Sequence, residues 1–229
     1  MNTTQYQKEL PEPTLSDRML EISIRYKNQL TILFILICLA AGGTLFWIQK
    51  TKADEAAAAL AIEKITPWLE TGDINRAVNG EGSVKGLSTI IKTWGGTSNG
   101  NMARLYLATI YFNAGKTDEA LALFNAFRSS NKDLKASAIA GAGACHDQKK
   151  VYAEAASEYE KASETAENEA LKAMYLTRAA DSYASAGQTD KAAGLLDRVI
   201  RTWPETSSAG IAQRTLLRLS GEGVPVPQN

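Results

Sequence analysis

Three stretches of this 229-residue chain fall into one register. Ala108, Tyr111, Gly115, Ala120 and Phe124 correspond to Gly143, His146, Lys150, Ala155 and Tyr159, and again to Ala180, Tyr183, Gly187, Ala192 and Leu196, at offsets of 35 and 37 residues. A period of that size marks a supersecondary unit that cannot bury its apolar face alone and must stack on its neighbours. Small residues at 108, 143 and 180 and at 120, 155 and 192 let two helices cross closely, and Tyr111, Phe124, Tyr159 and Tyr183 fill the remaining space. The turns GKTDEA, KVYAEA and GQTDKA carry breakers, with Asp or Thr expected to cap the next helix, and Pro204 closes the third unit. The spacing therefore predicts an all-α chain built of helical hairpins.

Ahead of the repeats lies one apolar run, Leu30 to Ile48, without a charged residue. At about 1.5 Å rise per residue it covers roughly the 30 Å hydrocarbon core of a bilayer. It exceeds the 7–15 residues of a secretory h-region, so a retained span is expected, with cleavage near Thr51 and Ala53 as the alternative. Cys38 follows the bulky Ile37 and reads as a membrane-packed thiol, not a lipidation site. Basic residues nearly balance across the run: Lys8, Arg18, Arg25 and Lys27 before it, Lys50, Lys52 and Lys64 after it. With Asp54 and Glu55 on the far side, they favour a cytoplasmic N-terminus. Tyr26 and Trp47 suit the two interfaces.

Leu15, Met19, Ile22 and Tyr26 form a helical stripe before the run, opposite Arg18, Glu21 and Arg25. Thr14 or Ser16 would cap this helix after Pro11 and Pro13, and its stripe would meet lipid headgroups or another membrane subunit, unless it simply extends the anchor. After the run, ADEAAAALAIEKITPWLE continues the helix toward Gly72 with no flexible linker. Ser83 is expected to cap a helix bearing Leu87, Ile90, Ile91 and Trp94 that stops at Gly95-Gly96, giving a first hairpin. The expected divisions are a tail with a short amphipathic helix (1–29), a transmembrane helix (30–48), a connecting helix and first hairpin (49–100), repeats (101–219) and a disordered tail (220–229).

Residues 101–206 resemble the tetratricopeptide repeat family in the positions just aligned, although Arg104, Ile139 and Leu176 stand where the family has an early tryptophan. The order of tail, span, alanine-rich helix and repeats resembles a narrower group. So do the phrases Gly86-Leu87, Ile90-Ile91, Gly95 to Thr97 and Gly100 to Ala108. That group is the single-span bacterial tetratricopeptide proteins that include the ancillary subunit of the SecYEG translocon. The resemblance implies a helical scaffold on the bacterial inner membrane, its repeats in the periplasm. Its partners would be translocating or exported proteins, chaperones or the translocon.

Chemistry is sparse. Twenty-five basic and 25 acidic side chains leave no net charge, hence no footprint for nucleic acid. His146, the one histidine, sits in Cys145-His146-Asp147 but occupies the register of Tyr111 and Tyr183, so packing is expected there in place of a metal or nucleophile site. Cys38 and Cys145 are not expected to pair. Gly80, Gly82 and Gly86 approach a phosphate-loop spacing but are read as a loop and helix start, and Asp118-Glu119 with Glu154, Glu158, Glu160 and Glu164 as solvated faces. No catalytic residue, cofactor, metal or small-molecule substrate is expected.

In the family the first helix of each unit lines a concave groove, which implies three candidate sets here. They are Met102, Leu105, Thr109, Phe112 and Asn113; Ser137, Ala140, Ala144, Asp147 and Gln148; and Met174, Thr177, Asp181, Ala184 and Ser185. They lack the basic set with which some family members clamp a C-terminal carboxylate. The alternative to a scaffold is a structural subunit of another membrane complex, in secretion, envelope assembly or respiration, docked through its span.

Overall fold

The computed structural model describes residues 15–221, and the chain divides into two units, Met1–Lys52 and Ala53–Asn229. Lys8, Pro11, Pro13, Thr14 and the tail from residue 222 lie outside the described residues.

In the first unit, α1 spans Leu15–Arg25 and exposes Leu15, Met19 and Ile24. Ser16 lies inside this helix and so does not cap it. Helix α2 runs Lys27–Glu70 and contains the apolar run, whose large side chains are all exposed. Among the described residues it is the one helix long and apolar enough to cross a membrane. The hydroxyls of Thr31 and Thr44 donate to the carbonyls of Lys27 and Ala41, both at 2.8 Å, so the run offers no unpaired hydroxyl to its surroundings.

The second unit is all helix apart from one ribbon. After the end of α2 come α3 (Ile74–Asn79), β1 (Gly80–Glu81), β2 (Val84–Lys85), α4 (Leu87–Trp94) and α5 (Ser98–Asn113). Then follow α6 (Thr117–Ala126), α7 (Lys132–Gln148), α8 (Tyr152–Thr165), α9 (Glu169–Ser185), α10 (Thr189–Thr202) and α11 (Ser207–Gly221). Helices α5/α6, α7/α8 and α9/α10 are the three hairpins of the repeat, stacked as a solenoid, and α11 begins a further unit. The aligned small residues sit at the crossings: Ala108, Ala120, Ala155, Ala180 and Ala192 are fully buried. A Cβ on Gly143 would meet the Ala155 carbonyl at 3.2 Å. Phe124, Tyr159 and Leu196 are buried beside them, each worth about 1.5–3 kcal/mol as apolar area removed from water.

The turns inside the hairpins are one structure used repeatedly. Gly115, Lys150 and Gly187 have φ of 72°, 61° and 77°. The next amide reaches back five residues in each case: Lys116 to the Tyr111 carbonyl at 2.8 Å, Val151 to His146 at 2.9 Å, Gln188 to Tyr183 at 2.9 Å. This is the Schellman arrangement, which satisfies the last carbonyls of the first helix. Gly72, with φ of 74°, and the bond from the Asp73 amide to Trp68 at 2.8 Å repeat it at the end of α2. Residues 53–97 thus occupy the place of a fourth hairpin whose second helix is broken into α3, a ribbon and α4.

The ribbon corrects the expected cap at Ser83. Gly80 pairs with Lys85 and Glu81 with Val84, leaving Gly82 (φ 57°) and Ser83 as the two turn residues, while Gly86 begins α4 without a side-chain cap. Gly80 and Gly86 are glycine because their backbones touch: a Cβ on either would lie 2.3 Å from the other strand. The expected caps inside the hairpins are corrected too, since Lys116, Val151 and Gln188 precede the second helices and give no side-chain cap. The caps stand in the turns between units instead. Thr97 accepts from the Gly100 amide at 3.0 Å, Asn131 from Leu134 at 3.0 Å, Asn168 from Ala170 at 2.9 Å and Thr206 from Ala209 at 3.3 Å.

Polar side chains near the starts of successive first helices then stitch one unit to the next. Glu55 accepts from the amides of Ser98 and Asn99 at 2.8 and 3.0 Å, and Asn101 from Arg128 at 3.2 Å. Asp133 accepts from Glu167 and Asn168 at 2.7 and 3.0 Å, and these two amides hold its carboxyl below the ordinary carboxylate range. Glu169 accepts from the Trp203 indole.

Candidate functional site

The expected groove residues do not form one surface. On α5, Met102, Leu105 and Phe112 pack half-buried against the core around Phe124 and Phe127, and Thr109 and Asn113 are exposed. On α7, Ala140 is only 7% exposed and belongs to the core shared with α9, which corrects its assignment to a groove wall. Ala144 packs on that same core, and the Ser137 hydroxyl lies 3.0 Å from the Tyr175 hydroxyl as a link between helices. Gln148 accepts from Thr117 at 2.6 Å, Ala184 packs on the last core cluster, and Ser185 is exposed.

Four of the nominated residues do come together. Asp147, Met174, Thr177 and Asp181 line a cavity of about 640 Å³ between α7, α9 and α11. Asp147 is fixed by the Ser182 hydroxyl, which donates to it at 2.8 Å. Tyr159 reaches the cavity from α8; burial, then the Asp147 carboxylate, push its hydroxyl up to about 12, with Arg178 pulling the other way. The Arg178 guanidinium stands 6.0 Å from the Tyr159 ring centre. Burial raises the Asp181 carboxyl above its ordinary value, and Asp147 raises it further, against the opposing pull of Arg218 and Arg178. Leu171 and Ile211 supply an apolar wall.

The lining of this cavity is mixed, apolar and polar. Among the described residues there is no group of three side chains able to hold a metal ion. Cys145 is fully buried, and burial pushes its thiol up to about 11, far from the thiolate a nucleophile needs. His146 packs half-buried in the register of Tyr111 and Tyr183. Of the acidic residues read as solvated, Glu160 accepts from the Tyr183 hydroxyl and pairs with Lys191 at 3.4 Å, and Asp118 pairs with Lys149 at 2.7 Å. Both cysteines are free.

Sequence reasoning missed Tyr159, Arg178 and the α11 residues Ser207, Ser208 and Ile211. Extending the period by one more unit past Pro204 nominates α11. Tyr159 was visible only as core, because a long phenol on a second helix can pack its ring and still present its oxygen beyond.

Stacked helical hairpins with first helices facing a cavity define an interaction scaffold. The tetratricopeptide repeat family model matches residues 102–133 and 175–206, so the chain carries tetratricopeptide repeats. The intervening hairpin falls outside both matches yet has the same turn, with Lys150 where its neighbours have glycine. No curated protein matches the chain. The repeat is a protein-interaction fold without catalytic machinery of its own.

Proposed function

We propose that the chain is a membrane-anchored tetratricopeptide scaffold, held by Leu30–Ile48 in the bacterial inner membrane with its repeats in the periplasm. There it binds translocating or exported proteins, chaperones or the Sec translocon. The observation that carries the reading is the pairing of an exposed, uncharged and largely apolar stretch of α2 with a cavity walled by the first helices of the repeat. Lipid covers the first; a polypeptide segment fills the second.

The exposed Thr202, on α10, allows a direct test. Thr202→Cys in the Cys38→Ser, Cys145→Ala background should react with a membrane-impermeant maleimide in spheroplasts. Protection until the membrane is permeabilised would place the repeats in the cytoplasm and remove the export role. The second reading, a structural subunit of a secretion, envelope-assembly or respiratory complex, draws on α1, which exposes Leu15, Met19 and Ile24 beside the span. Replacing residues 1–48 by an unrelated anchor separates the two, because a scaffold keeps its partners and a docked subunit loses them.

A further inference from the structure

A second cavity, of about 680 Å³, lies at the turn between α6 and α7, where α5, α7 and α8 also border it. It is lined by three cations, Arg128, Lys135 and Lys161, against one carboxylate, Glu158. Glu158 is spent on Lys161 at 3.6 Å, and nearby Glu55 is spent on the amides that open α5. Arg128 meets only carbonyl oxygens, those of Asn125 and Phe127 at 2.6 and 2.7 Å. Among the described residues the Lys135 ammonium has no hydrogen-bond or ion-pair partner, its main-chain amide alone donating to Asn131, and the main-chain amides of Ser129 and Ser130 donate to no protein group. Phe127 and Ile139 give the cavity an apolar floor.

In a chain with no net charge, this is a local surplus of positive charge and of unanswered donors around apolar ground. We infer that the cavity is a second protein-binding site, which takes an acidic segment of a partner: carboxylate side chains against Arg128, Lys135 and Lys161, an apolar residue on Phe127 and Ile139. The carboxylates replace water on the cations, and the apolar residue supplies the burial that surface charge pairs alone lack. The site rests on the scaffold reading but is separate from the cavity of α7, α9 and α11, so that a partner bridging both would contact two successive inter-unit seams.

The test uses the full chain in detergent micelles and a fluorescein-labelled peptide of alternating glutamate and leucine, read by anisotropy. The same peptide with lysine for glutamate is the control. Binding of the acidic peptide alone is expected, weakening with added salt as exposed charges are screened. Lys135→Ala with Lys161→Ala should weaken it about tenfold, since each exposed pair contributes a few-fold. Both side chains are exposed at their ends, and circular dichroism checks that the variant remains folded. Equal binding of both peptides, or acidic binding unchanged in the double variant, overturns the site. So does competition by inorganic phosphate at concentrations where chloride of equal ionic strength does nothing, because it would make the cavity a small-anion site. A scaffold that binds partners through the α7, α9 and α11 cavity while ignoring the acidic peptide refutes this inference alone; loss of partners at both places refutes the scaffold itself.

Discussion

Gly100 is the position at which the fold makes its sharpest demand on a single residue. It is buried in the first turn of α5, and a Cβ there would stand 1.8 Å from the Trp94 carbonyl oxygen and 2.4 Å from its carbon. Both atoms are backbone, at the end of α4, so no side-chain rotation relieves the overlap. Reaching an ordinary C···O contact of about 3.3 Å forces α4 and α5 apart by about 1.5 Å. Overpacking of that kind costs about 1–3 kcal/mol or more, and the shift strains the cap from the Gly100 amide to Thr97, worth about 1 kcal/mol. The gain in helix propensity from Gly to Ala returns only about 1 kcal/mol. Gly100→Ala should therefore destabilise by about 2–3 kcal/mol and lower the melting temperature by roughly 5–10 °C, followed by circular dichroism on the full chain in detergent. Gly96→Ala, four residues away with nothing within 4 Å of the added carbon, should change stability by less than about 0.5 kcal/mol. If Gly100→Ala melts with the wild type, the close approach of α4 and α5 is wrong.

Three further outcomes follow from the repeat geometry. Lys150 holds a left-handed conformation where its neighbours use glycine, so Lys150→Gly should stabilise by up to about 1 kcal/mol in denaturant titration; a loss would mean that the lysine side chain outweighs its backbone strain. The Cys145 thiol, raised by burial from 9.0 to about 11, favours the fold while neutral; that contribution is complete below pH 9 and is lost as pH rises through about 11. Cys145→Ala should flatten the alkaline fall in stability over that window, and the wild-type thiol should resist maleimide until the domain unfolds. Asp133 has the opposite sign: its lowered carboxyl stabilises above the ordinary value of 3.8 and stops doing so as pH falls through the folded value. Asp133→Asn should cost stability at neutral pH, with the difference from wild type closing in acid; a pH-independent difference would deny that the charge matters.

The fold was legible because the repeat is written in pairs of small and aromatic positions, and each pair is a crossing. Alanine at 120, 155 and 192 can be read from the sequence since nothing larger fits there. The broken second helix at 73–94 was not legible, because the ribbon depends on Gly80 and Gly86 touching, a contact between residues that look like ordinary loop glycines. Caps were assigned to the wrong turns for a related reason. Asp118 and Asp190 stand just after a Schellman turn whose own amides already answer the helix end, and there they sit in the first helical turn, favoured by its dipole. For the site, helical period tells which helix a residue shares but not how far neighbouring units close over it. Ala140 is sealed by α9, whereas Asp181, on that helix, remains open. The cationic cavity at Arg128, Lys135 and Lys161 was invisible, since its members come from three elements with no common spacing.

Whether the first helices of the repeat present a protein-binding cavity, as proposed, is decided by site-specific photo-crosslinking. A photoreactive residue at Asp181 or Met174, in the cavity, is compared in intact membranes with one at the exposed Ser157 on α8. A protein-binding cavity here yields discrete protein adducts from both cavity positions and none from Ser157. Adducts of equal yield at all three positions, or at none of them, would contradict it.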